Sequence, residues 1–330
     1  MEEVMKAMAA INPEDIAQDY PPFLVIHKDG TVQRFFGTER VPPCVDADTG
    51  VESQDVVITP EEHGGVWVRL YKPNPKDNHM GRLPVLVYFH GGGFCVESAA
   101  SPLYHNHLNS VSAKGNVIMV SVDYRLAPEY PLPTAYEDSW EALKWVENGG
   151  GNGYKWIQDY ADLDRVYLGG DSAGANIAHH MAKRLGLRTE KGKLKLKGIL
   201  LIHPYFWGSE RIGSELQKRG KVEEGKGLAE KLWALVNPGS SGIDDPLINP
   251  GNDPELGCLG GEKVMVWVAE HDGLRDRGFY YKEMLVKSGC KAKVEVAETL
   301  GENHVFHLTN PGSPNVDPFM NQVIQFINSS

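Results

Sequence analysis

The sequence lacks the marks of several large protein classes. Its four cysteines, Cys44, Cys95, Cys258 and Cys290, are scattered with no CxxC pair, so neither a zinc site nor a dense disulfide framework is written here, and reduced thiols are expected. No stretch reaches the roughly 18 uninterrupted apolar residues of a membrane helix. The first residues carry Glu2, Glu3, Lys6, Glu14, Asp15 and Asp19 and no apolar run of signal-peptide length, which makes the cytosol the expected compartment. Basic residues are outnumbered, 33 against 44 acidic, and the formal charge of −11 leaves no electrostatic footprint for nucleic acid or an anionic membrane. GxGxxG, a GK[ST] phosphate loop and HExxH are all absent, so no cofactor and no metal are expected. His105, His107, His179 and His180 have no carboxylate at ligand spacing. Internal repeats are missing too.

What is present is ordinary globular material, 41% hydrophobic and 23% charged. At 330 residues the chain could hold two domains or one large α/β unit. The first 60 residues read as an irregular arm, with a hairpin where Phe23 to Ile26 turns at Asp29-Gly30 into Val32 to Phe36. Apolar strand-like runs then follow at Val66–Tyr71, Val85–Phe89, Val117–Val122, Val166–Leu168, Gly198–His203, Val264–Ala269 and Val294–Ala297. Helix-length segments stand between or after them at Ala135–Asn148, Ala175–Leu185, Arg277–Lys287 and Pro318–Ile327. This rhythm predicts a mostly parallel sheet flanked by helices. Runs such as VLVYF at 85–89 and GILLI at 198–202 are apolar throughout, as strands covered on both faces are. Between Gly208 and Pro250 the rhythm breaks, while Leu228, Leu232, Trp233 and Val236 keep helical spacing, which predicts an inserted helical segment.

The chemistry concentrates in a few places. Residues 166–176 read strand, tight turn and helix start, with Gly170-Asp171-Ser172-Ala173-Gly174 at the turn. GxSxG alone is a weak signal, but a serine on a strand-to-helix turn, with glycines two residues to either side, projects from the sheet as a nucleophile must. Ser172 is the candidate nucleophile. A serine hydroxyl needs a base, and the oxyanion it creates needs fixed donors. The donors are expected from Gly91, Gly92 and Gly93, which follow the apolar strand at His90-Gly91-Gly92-Gly93-Phe94, together with the N–H of Ala173; Gly92 and Gly93 are preferred. The base should lie after the last strand, where His304 is favoured on position and His307 is its rival. For the orienting acid, Glu270, Asp272 and Asp276 follow the preceding strand. Asp272 stands before Gly273 at a sharp turn, whereas Asp276 between two arginines suits a first helical turn.

HGGGF at 90–94, DYRLAPE at 123–129, GDSAGAN at 170–176, PYFWGSE at 204–210, HDGLRDRG at 271–278 and ENHVFHL at 302–308 together resemble the plant carboxylesterases of the hormone-sensitive-lipase-like α/β-hydrolase family. The likeness runs from about residue 20 to the end. It implies one α/β-hydrolase domain over 1–330, with a mostly parallel central sheet flanked by helices, and a helical cap built from about 1–50 and about 208–250. It also implies Ser172 as nucleophile, Asp272 as acid, His304 as base, and the glycine loop with Ala173 as oxyanion hole. Phe94, Tyr205, Trp207, Trp233 and Val305 are the candidate substrate-binding residues, while Asp123, Tyr124 and Arg125 are read as structural. The expected activity is hydrolysis of small to medium carboxylic esters of plant metabolites, by a monomer or homodimer whose partner is the small-molecule ester. Two relatives of this family offer other readings: the 2-hydroxyisoflavanone dehydratases, which eliminate water, and the gibberellin receptors, which lack the catalytic histidine that His304 supplies here.

Overall fold

The computed structural model describes residues 2–60, 65–74, 81–151, 154–190, 192–220 and 227–329. A small antiparallel sheet comes first, from β1 (Ile16–Tyr20), β2 (Leu24–His27) and β3 (Val32–Arg34), after a short helix α1 (Glu2–Ala9). The main sheet holds β4 (Glu52–Val57), β5 (Trp67–Lys72), β6 (Leu83–Phe89), β7 (Ile118–Asp123), β8 (Ala161–Asp171), β9 (Leu196–Ile202), β10 (Lys263–Ala269) and β11 (Lys293–Thr299). Their spatial order is β11-β10-β9-β8-β6-β7-β5-β4. From β7 to β11 every neighbouring pair is parallel, and β4 and β5 complete the sheet antiparallel.

The helices are α2 (Pro102–Gly115), α3 (Thr134–Glu147), α4 (Lys155–Tyr160), α5 (Ala173–Gly186), α6 (Leu228–Val236), α7 (Arg275–Lys287), α8 (Phe306–Thr309) and α9 (Val316–Asn328). Strand alternation sorts the core into two layers. Val85, Val87 and Phe89 of β6 face α3 and α5 residues such as Leu143 and Ile177, whereas Leu86 and Tyr88 join Leu108 of α2 and Phe319 of α9 on the other face. Ile199 and Leu201 against Leu200 and Ile202 divide β9 the same way. Because both faces are covered, each such residue adds about 1.5–3 kcal/mol of burial, and the strands read as unbroken apolar runs.

Besides the short helices α1, α4 and α8, three elements depart from the sequence expectation. β4, ESQDVV, is an edge strand with three of its six residues exposed, so it carries no apolar run. β1, IAQDY, has no buried residue at all and is held by its antiparallel pairing to β2. The third is α2, whose buried residues Tyr104, His105, His107, Leu108, Val111 and Ser112 mix polar with apolar types and hide the helical stripe. No helix among the described residues is long and apolar enough to cross a membrane.

Candidate active site

Ser172 sits between β8 and α5 with φ 52° and ψ −117°, a left-handed backbone that costs a non-glycine residue about 1–3 kcal/mol. The surroundings enforce it. Ser172 donates its N–H to the Ile202 carbonyl at 2.9 Å, and its own carbonyl accepts from Tyr205 at 3.0 Å. The turn also presses against β6: a Cβ at Gly174 would lie 1.9 Å from the Phe89 carbonyl oxygen, and one at Gly170 would lie 2.4 Å from the Gly174 backbone. Glycine on both sides is therefore a packing requirement of this turn.

Asp272 and His304 meet across two loops, one after β10 and one after β11. His304 Nδ1 and Asp272 Oδ2 are 2.7 Å apart, and Asp272 Oδ1 accepts the Leu274 N–H at 2.9 Å. Asp272 is buried, whereas 35% of the His304 side-chain surface is open. Burial pulls the His304 pKa down, but the charge and hydrogen bond of Asp272, with the charge of Asp171, outweigh it and hold the imidazole above its usual value. The same coupling, against burial, holds the Asp272 carboxyl below its usual value.

The competing residues are engaged elsewhere. Asp276 accepts the Ser214 N–H and pairs with Arg275, and Glu270 accepts the Gly301 N–H at 2.7 Å. His307 is buried with neither ring nitrogen partnered, 4.9 Å from the His107 ring and 4.8 Å from Phe319.

The glycine loop after β6 divides by role. Gly92 and Gly93 take φ of 94° and 60°, and a Cβ at Gly92 would sit 2.3 Å from the Val96 carbonyl oxygen. Both line the same cavity as Ser172, and no acceptor is found for their N–H groups or for that of Ala173 among the described residues. Gly91 differs from the expectation: its N–H is already donated to Tyr104 Oη at 2.7 Å, which removes it from the free donors. Tyr104 in turn donates to Asp171 Oδ2 at 2.9 Å, and Tyr88 donates to Oδ1 at 2.9 Å. Burial raises the Asp171 pKa to about 6 despite these two donors. Tyr124 stacks on His90 at 4.2 Å and donates to the His90 carbonyl at 2.7 Å, so part of the DYRLAPE run braces this loop from behind.

Tyr104→Phe isolates the brace. With the Gly91 N–H left buried and unpaired, stability should fall by about 1–3 kcal/mol in urea titration. An unchanged urea midpoint would show that the loop is held by other contacts.

A cavity of about 500 Å³ joins these groups. Phe23 and Phe36 of the arm, Leu228 and Leu232 of α6, and Leu103 and Leu308 form its apolar walls. Of the sequence candidates, Tyr205, Trp207 and Val305 line it. Phe94 and Trp233 do not: Phe94 is buried between Tyr136 and Tyr205, and Trp233 is buried with Nε1 donating to Ser240 and to the Gly242 carbonyl. Their size and aromatic character suggested pocket walls, but each serves the core. The arm's two phenylalanines were read only as the outer ends of the hairpin runs, and strand alternation alone does not say that they face this cavity.

Among the described residues, one group has metal-ligand proximity, His203, Asp272 and His304, whose ligand atoms lie within 4.8 Å of one another. The donor set does not suit an ion. His203 Nδ1 accepts the Val305 N–H at 2.8 Å, so the neutral ring carries its proton on Nε2, and His304 Nδ1 is committed to Asp272. His179 and His180 lie side by side but bond to separate partners, His179 to Tyr281 and His180 to the Leu247 carbonyl.

Comparison with known proteins bears on the fold and the family. The alpha/beta hydrolase fold family matches residues 86–308, more than half of the chain. Probable carboxylesterase 2 of Arabidopsis thaliana is 47% identical over 317 residues, which cover 96% of this chain and 97% of that protein. The 2-hydroxyisoflavanone dehydratase of Glycyrrhiza echinata is 43% identical over 324 residues, 95% of this chain and 97% of that one. Among solved structures, a hyperthermophilic esterase from the archaeon Pyrobaculum calidifontis is similar with a TM-score of 0.69 and 28% identity, over 84% of this chain and 85% of that one. The chain belongs to the α/β-hydrolase family, among the plant carboxylesterases of its hormone-sensitive-lipase-like branch.

Proposed function

We propose that this protein is a serine carboxylesterase in which Ser172, His304 and Asp272 carry the reaction. The observation that carries the reading is the 2.7 Å His304–Asp272 bond opening on the cavity that Ser172 also lines. Ser172 Oγ attacks the ester carbonyl and passes its proton to His304 Nε2. The oxyanion takes the N–H groups of Gly92, Gly93 and Ala173. The tetrahedral adduct collapses with loss of the alcohol, which leaves with the proton from His304. Water, deprotonated by the same imidazole, then opens the acyl-enzyme, releases the acid and restores Ser172. Asp272 keeps the imidazole in the correct tautomer and balances its positive charge.

The arm and α6 act as a cap, since Phe23, Phe36, Leu228 and Leu232 close the cavity over Ser172. Apolar walls and the absence of Lys or Arg among the described lining residues favour neutral, short-acyl esters of plant metabolites, because a desolvated substrate anion would meet no counter-charge. No metal or cofactor enters the reaction, the enzyme works as a monomer or homodimer, and its compartment is the cytosol. A fluorescent fusion confined to plastids or mitochondria would overturn that last assignment.

A radiolabelled organophosphate should attach to Ser172 in a one-to-one ratio, and label found on any other residue would sink the proposal. Elimination is the second reading, favoured by the 43% identity to a protein named as a dehydratase. The same base and oxyanion donors serve both reactions. Isoflavone formation from 2-hydroxyisoflavanone faster than p-nitrophenyl acetate turnover would select elimination.

The pH dependence follows from His304. Activity needs the neutral imidazole, and its pKa is held above the ordinary 6.5, so the acid limb of kcat/KM should fall above pH 6.5. A limb well below that value would mean that the Asp272 coupling is absent in solution.

A further inference from the structure

His203 stands just after β9 and does not line the cavity, and the proposed reaction gives it no role. Yet its placement is highly constrained. The residue is buried, takes φ 47°, and donates its backbone N–H to the Trp267 carbonyl at 2.8 Å. Its Nδ1 accepts the N–H of Val305, the residue immediately after His304, at 2.8 Å. Val305 is itself left-handed at φ 48°, a conformation that a β-branched residue adopts only when its surroundings impose it. The His203 and His304 rings are 5.7 Å apart, and His203 belongs to the cluster with Asp272 already described.

We infer that His203 is a positioning residue: its imidazole accepts the Val305 N–H, fixes the unusual turn at 304–305, and so aims the His304 ring at Asp272. The inference rests on the proposed roles of Ser172, His304 and Asp272, but it concerns a side chain that touches neither substrate nor reacting atoms.

The role requires His203 to stay uncharged. A proton on Nδ1 would eliminate the acceptor that Val305 uses, and a second cation would compete with His304 for the single negative charge of Asp272. The surroundings meet that requirement. Burial, then repulsion from His304, lowers the His203 pKa to about 3, against the opposing pull of Asp272. The remaining neighbours are Phe306 at 5.9 Å and His307 at 6.0 Å, whose own pKa burial drives well below the usual imidazole value. Asp171 is the other acid that acts on His304. With Nδ1 accepting, the proton sits on Nε2, which has no hydrogen-bond partner.

The test compares three substitutions on p-nitrophenyl acetate. His203→Ala and His203→Leu remove the acceptor, while His203→Asn keeps an oxygen near the Nδ1 position. The expected result is a fall in kcat of about 10–100-fold for Ala and Leu with KM within about threefold, and recovery of most of that loss in Asn. The acid limb of kcat/KM should move to lower pH in Ala and Leu, because a misaimed His304 loses the Asp272 coupling that raises its pKa. A kcat within twofold of wild type in Ala, or equal losses in all three variants with the acid limb unmoved, would reduce His203 to core packing and overturn the inference.

If the variants fail to fold, ¹⁵N-histidine NMR of the intact wild type decides. The His203 ring should carry hydrogen on Nε2 alone at pH 7 and stay neutral down to about pH 4. A proton on Nδ1, or titration near neutrality, would refute the role. That spectrum is independent of activity, so failure of this inference can be told apart from failure of the Ser172 assignment, which organophosphate labelling reads.

Discussion

Ser172→Ala should lower kcat on p-nitrophenyl acetate by about 10⁶-fold while leaving the fold intact. The two halves of that expectation have separate grounds. Removing Oγ removes the attacking atom, and the residual rate, about 10³–10⁴ above water, would come from the donors of Gly92, Gly93 and Ala173 and from binding in the cavity. Stability should barely change, because Ser172 anchors its turn through its backbone N–H and carbonyl, and those bonds survive in alanine. The strain at φ 52° survives as well. Ser172→Gly should therefore be equally inactive but more stable, by about 1 kcal/mol, since glycine takes a left-handed backbone without a Cβ penalty. A rise in Tm for Gly over Ala, together with loss of organophosphate labelling in both, would place the strain and the nucleophile at one residue. Retained hydrolysis in Ser172→Ala would remove the proposed mechanism outright.

How much of this was legible follows from what periodicity encodes. Strands β5 to β10 were readable because burial writes apolar runs, and the edge strand β11, which has no buried residue, was readable only through the short run Val294 to Ala297. β4 and β1 were not, since an edge strand half in water and a strand without a buried residue leave no such run. Helix α2 was hidden by His105, His107 and Ser112 on buried positions, where His105 and Ser112 hydrogen-bond to neighbours and His107 packs between the Tyr88 and His307 rings. The approach of Ser172, Asp272 and His304 to one cavity was readable as loop order, because in a parallel sheet successive strand ends open on the same edge. The division of labour within the glycine loop was beyond the sequence. Gly91 looks identical to Gly92 and Gly93 along the chain, and only the arrival of Tyr104 from α2, a helix not recognised, takes its N–H out of use. Phe94 and Trp233 failed for a related reason: an aromatic residue near a site can wall the cavity or fill the core behind it, and residue type does not distinguish the two.

Asp272→Asn should cost about 10⁴-fold in kcat although it changes a single atom type. The carboxylate accepts from His304 Nδ1–H at 2.7 Å and leaves Nε2 free to take the serine proton. An amide that turns its NH2 toward Nδ1 reverses this, placing the imidazole proton on Nε2, where it cannot act as a base. The variant also reveals itself through pH. Without the charge of Asp272 the effect of burial on His304 dominates, so the imidazole pKa drops and the acid limb of the residual activity should shift downward. Stability has its own window. The Asp272 carboxyl is held below its ordinary 3.8, so its contribution is present above that pH and is lost as pH falls through the depressed value. His304 is held above 6.5, so its contribution is present below 6.5 and is lost as pH rises through the elevated value. Both act together between about pH 4 and 6.5, and there the stability deficit of Asp272→Asn should be greatest. Denaturant titrations across pH 3 to 9 measure it. A deficit that is flat with pH, or a kcat within tenfold of wild type, would mean that the Asp272–His304 pair is a packing contact and that another acid orients the base.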